Sequence, residues 1–221
     1  MRTVASVLAV GAVVAVALAA ALDVLRPGPE RLPTDLAGEL VYSEEDCSRH
    51  ALRLPSLVRR DFLTVGCGVF TRRDNLGVQD GVVAWFAYPA PGGTTTLLRN
   101  ADVREVAWLG GRRFAASLAG GRLTVWEGDS LLGVAATGPY RGLRASPSRR
   151  WFAAAAGDEL AVFDRAGRRL WTRPGHAVAW SPDERYAAVA GVREVAIVPA
   201  AGGEPVAKIP LSAADVDWRQ G

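Results

Sequence analysis

Short apolar strands set between glycine and proline turns, recurring every 35–37 residues, predict an all-β protein. The expected architecture is a β-propeller of about five four-stranded blades closed by its C-terminal strand. Three observations carry this. The turns Leu109-Gly110-Gly111-Arg112-Arg113-Phe114, Ser146-Pro147-Ser148-Arg149-Arg150-Trp151 and Ser181-Pro182-Asp183-Glu184-Arg185-Tyr186 hold the same place in their units, 37 and then 35 residues apart. The third strand of each unit repeats apolar residues with a period of two: Leu123, Leu160 and Val195 on one face, then Val125, Val162 and Ile197 two positions on. Finally, Val216-Asp217-Trp218 carries the signature of a first strand with no blade after it.

The chain opens with residues 1–3 as a cytoplasmic stub bearing Arg2, followed by an uncharged apolar run over 4–22. As a helix that run would span about 28 Å, close to the hydrocarbon core of a bilayer. Its length favours an uncleaved single-pass anchor. A cleavable signal peptide is the alternative, with small-residue exits at Ala17-Leu18-Ala19 or Ala19-Ala20-Ala21. No cysteine follows closely, so a bacterial lipoprotein is not expected. Either way the rest of the chain is expected outside the cytoplasm. Residues 23–35, with Pro27, Pro29 and Pro33, form a short stiff spacer, and 36–221 form the propeller domain.

The blades parse in order. In the first, Leu40-Val41-Tyr42 reads as a second strand and His50-Ala51-Leu52-Arg53-Leu54 as a third, so its first strand is missing. The second is divergent: strands are expected over 62–70, near Leu76-Gly77-Val78, over 82–88 and over 95–98. Its Pro89-Ala90-Pro91-Gly92-Gly93 matches Pro199-Ala200-Ala201-Gly202-Gly203, three repeats on. The third has strands at 106–108, 114–118, 123–126 and 131–136, with Gly120-Gly121 turning the second into the third. The fourth has them at 143–145, 151–156, 160–163 and 170–172, with a Gly157-Asp158 hairpin. The fifth has them at 178–180, 186–190, 195–198 and 206–211. The unserved strand at 216–218 can supply what the first blade lacks, which would leave no exposed ring edge. An open, curved array is the rival arrangement.

The segment Trp180-Ser181-Pro182-Asp183-Glu184-Arg185-Tyr186 resembles the Trp-Ser-Pro-Asp-Gly turn of TolB-type and WD-repeat-related propellers, with Glu184 in place of the usual glycine. The resemblance covers 36–221 at the level of repeats. It implies fold, and a protein- or peptide-binding role, rather than an activity, because the motif is a structural turn.

Composition excludes some functions. The net charge is +3 and the pI near 9.2, yet Lys208 is the only lysine and Ile197 and Ile209 the only isoleucines. That is the mark of a GC-rich genome. Acids are interspersed throughout, so no nucleic-acid partner is expected. There is no nucleophile elbow, zinc-binding helix, phosphate loop or dinucleotide fingerprint, and no cofactor, metal or catalytic residue is expected. His50 and His176 are isolated and read as surface or packing residues, and Trp108, Trp180 and Trp218 as core. Cys47 and Cys67 are expected to form one disulfide outside the cytoplasm; two separate buried thiols are the alternative. Arg72, Arg73, Arg112, Arg113, Arg149, Arg150, Arg168, Arg169 and Arg185 all fall in turns that a propeller presents on one face, a possible anion-binding face suited to lipid headgroups or an acidic wall polymer. The bland alternative is that arginine is the default polar turn residue here.

These features lead to a membrane-tethered, non-catalytic binding or scaffold module for an envelope protein or polymer. The alternatives are a glycosidase- or lactonase-like enzyme with its site in the central channel, and a sensor or accessory domain of a membrane complex. A channel enzyme would need converging carboxylates, and only Glu105, Asp215 and Asp217 sit on or beside the first strands.

Overall fold

The computed structural model describes residues 32–62, 67–69, 76–85 and 95–221. The apolar run 4–22, most of the spacer, the 89–93 turn, Arg72 and Arg73 lie outside the described residues. Within them every regular element is a β-strand. No helix among the described residues is long and apolar enough to cross a membrane.

The strands form five antiparallel sheets in chain order. The first holds β1 (Gly38–Ser43), β2 (Arg49–Leu54) and β3 (Val58–Asp61). The second holds β4 (Leu76–Gln79), β5 (Val82–Trp85) and β6 (Thr95–Arg99). The third runs β7 (Val103–Trp108), β8 (Arg113–Leu118), β9 (Arg122–Glu127), β10 (Ser130–Thr137). The fourth runs β11 (Arg141–Ala145), β12 (Trp151–Ala156), β13 (Glu159–Asp164), β14 (Arg169–Pro174). The fifth runs β15 (Ala177–Trp180), β16 (Tyr186–Ala190), β17 (Val195–Pro199), β18 (Ala207–Ile209). The last strand, β19 (Asp215–Arg219), returns to the first sheet, whose order is β19-β1-β2-β3.

The return of β19 meets the expectation drawn from the unserved Val216-Asp217-Trp218. Leu40 lies opposite Trp218, Val41 opposite Asp217 and Tyr42 opposite Val216, in antiparallel register. Trp218 is almost wholly buried, and its indole N–H donates to the Ala37 carbonyl at 3.0 Å. The fourth strand of this sheet, β3, had no sequence signature because Val58, Arg59, Arg60 and Asp61 are all exposed. An outer edge strand with no buried face leaves no period-two pattern to read.

Small residues explain how the sheets stack face to face. Phe152-Ala153-Ala154-Ala155 on β12 and Ala187-Ala188-Val189-Ala190 on β16 are buried throughout. Strands covered on both faces read as continuous apolar runs, not alternating ones. Each pair of neighbouring sheets shares its own core. Leu40, Leu52, Ile197 and Trp218 join the fifth to the first. Leu160, Val162, Trp180 and Val189 join the fourth to the fifth. Leu123, Val125, Phe152 and Phe163 join the third to the fourth, and Leu76, Val83, Val106 and Phe114 the second to the third. Val41, Ala51 and Val69 begin the contact between the first sheet and the chain leading to the second. Five sheets joined in succession, the last packed on the first, make a β-propeller.

Two details differ from the expected strands. In the second blade only Phe62 and Cys67-Gly68-Val69 of the expected 62–70 strand are described, and none of them is in a strand. In the third blade the turn is one residue shorter than in the fourth and fifth. Trp108 pairs with Phe114, whereas Ala145 pairs with Phe152 and Trp180 with Ala187. Phe114 therefore corresponds to Phe152 and Ala187, not to Trp151 and Tyr186. The sulfurs of Cys47 and Cys67 are bonded, tying the turn before β2 to the segment beyond the first sheet.

Candidate binding face

The turns between first and second strands share one face with those between third and fourth. The Gly128 N–H donates to the Arg112 carbonyl at 2.9 Å and the Ala200 N–H to the Arg185 carbonyl at 2.9 Å, stitching the two turn classes together. Serine organises the longer turns. In the fifth blade the Ser181 hydroxyl donates to Asp183 at 2.6 Å and accepts the Tyr186 N–H at 3.0 Å. Burial pushes the Asp183 carboxyl upward, but donation from Ser181 and the Arg185 N–H outweighs it and holds it below the usual range. Asp164 follows the same balance in the fourth blade, with two N–H groups and the side chain of Arg168 opposing burial.

The fourth residue of these turns lies in the left-handed region, Arg149 at φ 63° and Glu184 at φ 56°. Glycine adopts that conformation without a Cβ penalty, which explains its usual place in the Trp-Ser-Pro-Asp-Gly pattern. Here the side chains at this position reach back to the preceding blade. The Ser148 N–H and hydroxyl both donate to Glu184, and Arg150 lies 3.7 Å from it. Arg149 stacks on the Trp108 ring at 3.7 Å. At the closing seam Asp35 does comparable work from the incoming chain, accepting from Arg185 at 2.6 Å and the Tyr186 hydroxyl at 3.0 Å. Burial and that bond to Asp35 raise the Tyr186 hydroxyl above its ordinary value.

The structure sorts the expected arginine set. Arg113 pairs with Glu127 at 2.8 Å, Arg168 with Asp164 at 2.6 Å, Arg150 with Glu184 and Arg185 with Asp35. Arg169 donates to the Tyr140 hydroxyl at 3.0 Å. Arg112 is exposed and Arg149 lies on Trp108, neither paired with a carboxylate among the described residues. Arg165, absent from the expected set, joins them: its guanidinium donates to the Gly110 carbonyl at 3.4 Å.

A groove of about 540 Å³ opens at the closing seam, where the covalent turn of the other blades is replaced by incoming and outgoing chain. Leu36, Leu54, Pro182 and Trp218 supply apolar wall, and Asp35, Arg53, Asp183 and Tyr186 polar groups.

At the centre, where first strands converge, Arg144 holds three blades. It donates to the carbonyls of Val178 at 2.8 Å and Val216 at 2.6 Å and pairs with Asp215. Asp215 also accepts the Val69 N–H at 2.8 Å. Glu105 takes the Leu143 N–H at 3.1 Å, and Asp217 takes Arg219 at 3.0 Å. The three acids flagged by the sequence are thus each engaged within the fold. Arg144 had no signal beyond its place in an apolar strand.

His50 is not isolated. It is buried against Tyr42, with Ser48 Oγ 2.9 Å from Nε2 and Asp61 Oδ1 2.7 Å from Nδ1. A hydroxyl, an imidazole and a carboxylate in that order form a nucleophile–base–orienter chain. The surroundings oppose that use. The Glu44 carboxylate lies 3.4 Å from Nε2, and Asp46 bonds the Ser48 side chain and N–H, which holds its own carboxyl low. The N–H groups of Cys47 and Ser48 are given to Glu44 O and Asp46 Oδ1, so neither serves an oxyanion. His176 Nε2 donates to the Ala213 carbonyl, 2.8 Å away. No cluster of metal-ligating side chains occurs among the described residues.

No known protein family matches the sequence, and no curated protein does. Among solved structures the chain is similar to BamB from Moraxella catarrhalis, at 14% identity over 63% of this chain and 46% of that one, with a TM-score of 0.47. It is similar to Kluyvelomyces marxianus Hsv2 at 12% identity over 80% and 65%, TM-score 0.46. It is also similar to the WD40 β-propeller domain of Doa1 at 17% identity over 79% and 65%, TM-score 0.43. The chain spans less than two thirds of the length of each.

Proposed function

We propose that this chain is a non-catalytic binding or scaffold module, held to a membrane by residues 4–22 and facing an extracytoplasmic compartment, whose turn face engages another envelope macromolecule. The single observation that carries the reading is the groove of about 540 Å³ at the closing seam, which combines apolar wall with polar groups on an otherwise turn-built face. The acids near the first strands are consumed internally, which leaves no converging pair for glycoside chemistry among the described residues. The Cys47–Cys67 disulfide supports an oxidising compartment. No nucleic-acid partner and no cofactor enter this reading.

The test places a photo-crosslinking residue at Pro182, in the groove, and separately at Gly157, in a turn between second and third strands, within the full chain in its native membranes. A discrete adduct from position 182 and none from 157 is the expected result. Equal adducts at both positions, or none at either, would overturn the reading. A hydrolytic second reading rests on Ser48, His50 and Asp61. A fluorophosphonate probe is expected to leave Ser48 unmodified, and stoichiometric labelling at Ser48 would establish the hydrolase instead.

A further inference from the structure

We propose that Arg149 and Arg165, meeting over Gly110 on the seam between the third and fourth blades, form a binding site for a phosphate group. Four of the arginines on this face are neutralised by carboxylates; these two are not, among the described residues. A Cβ built on Gly110 would lie 3.6 Å from the Arg165 guanidinium and 3.7 Å from Arg149 Cδ, so both chains converge on one residue that offers no side chain. Gly110 has φ 93°, a conformation that keeps side chains out of this position.

Two features distinguish Arg149 from an ordinary solvated arginine, whereas Arg165 is exposed. Arg149 Nε is buried without a hydrogen-bond acceptor among the described residues, and its Nη1 donates to the Pro147 carbonyl at 3.2 Å, which fixes the guanidinium in the turn. The Trp108 ring at 3.7 Å holds the guanidinium in place without cancelling its charge, and the Trp108 N–H is itself fixed on the Gly111 carbonyl at 2.9 Å. A planar guanidinium held on an indole ring, with a second arginine reaching the same glycine, suits the tetrahedral oxygens of a phosphate ester, which accept charge-assisted bonds from guanidinium groups. Arg112, in the same turn as Gly110, adds exposed positive charge at the rim. The phosphate could belong to a lipid headgroup or to a soluble ester. Only that choice of source rests on the envelope reading above; the site does not.

The experiment uses the full chain in neutral detergent, with two probes: inorganic pyrophosphate, and mixed micelles carrying phosphatidylglycerol against phosphatidylcholine. The variants are Arg165→Glu and, for an equal change of charge elsewhere, Arg193→Glu. Wild type should bind at least one phosphate probe, Arg165→Glu should lose about ten-fold or more in affinity, and Arg193→Glu should stay within about two-fold on the same scale. Binding of phosphatidylglycerol alone assigns the source to a headgroup; binding of pyrophosphate assigns a soluble phosphate. No binding of either probe, or equal losses in the two variants, overturns the site. A failed crosslink at position 182 would leave this result standing, so the two proposals fail separately.

Discussion

The seam between the fourth and fifth blades and the seam between the third and fourth use one turn position in opposite ways. In the first, Glu184 leans back on the Ser148 N–H and hydroxyl and on Arg150, closing a neutral latch. In the second, Arg149 leans back on Trp108 and Gly110 and meets another arginine, leaving net positive charge. The backbone is the same at both, left-handed and unfavourable for a residue with a Cβ. The shared geometry shows that this position governs what each seam does. A carboxylate there joins two blades through paired charge, and a guanidinium there joins them through an aromatic ring and leaves its charge without a carboxylate among the described residues. The closing seam is the limiting case: no covalent turn exists, and Asp35 and the β19–β1 pairing hold it instead.

The largest effect should come from removing the seam that has no covalent turn. Deleting residues 213–221 strips the first sheet of its inner strand and uncovers the fifth-blade face that packs Trp218. The product should aggregate or lose its cooperative melt. A truncated chain that remains monomeric with an unchanged melting temperature would refute closure by β19.

Next in size is the centre. Arg144→Ala leaves the Asp215 carboxylate without its guanidinium in a site where both side chains are largely shielded, 10% and 14% exposed. The expected loss is about 3–5 kcal/mol. In a double-mutant cycle, adding Asp215→Ala should recover part of that loss, since the shielded carboxylate that lost this guanidinium is gone. Additive losses in urea unfolding would show that the two residues act separately.

The smallest effect tests the latch itself. Glu184→Ala removes the carboxylate and keeps a Cβ in the left-handed turn, whereas Glu184→Gly removes both. Both should lower stability through the lost contacts to Ser148 and Arg150, with glycine recovering about 1 kcal/mol relative to alanine. Equal denaturation midpoints for the two variants would mean that the turn relaxes out of the left-handed region, and the comparison of seams would lose its basis.

How much of this was legible in the sequence varied with burial. Blades whose middle strands are covered on both faces, such as 152–155 and 187–190, announced themselves as unbroken apolar runs. The exposed edge strand β3 did not. The face carrying the turns was predictable from strand order, although Arg72 and Arg73 lie outside the described residues. Their partners were not predictable: Asp35 lies 150 residues from Arg185, and Glu184 lies 36 residues from Ser148. One clue was available, since a charged residue standing where the turn pattern has glycine signals a side chain held there for a contact.

By itself the sequence determined the repeat length, the all-β class and the pairing of the last strand with the first sheet. Those follow from local rules: period-two apolarity, turn residues, and a strand signature left without a blade. Tertiary structure alone decided which charges cancel. It placed Arg144 against Asp215 across the converging first strands, Ser48 and Asp61 against His50, and Arg149 and Arg165 at one glycine with no acid paired to either among the described residues. The reason is physical: strand and turn propensities act between neighbours in the chain, whereas the pairing of charges depends on distances that exist only once five sheets close on one another.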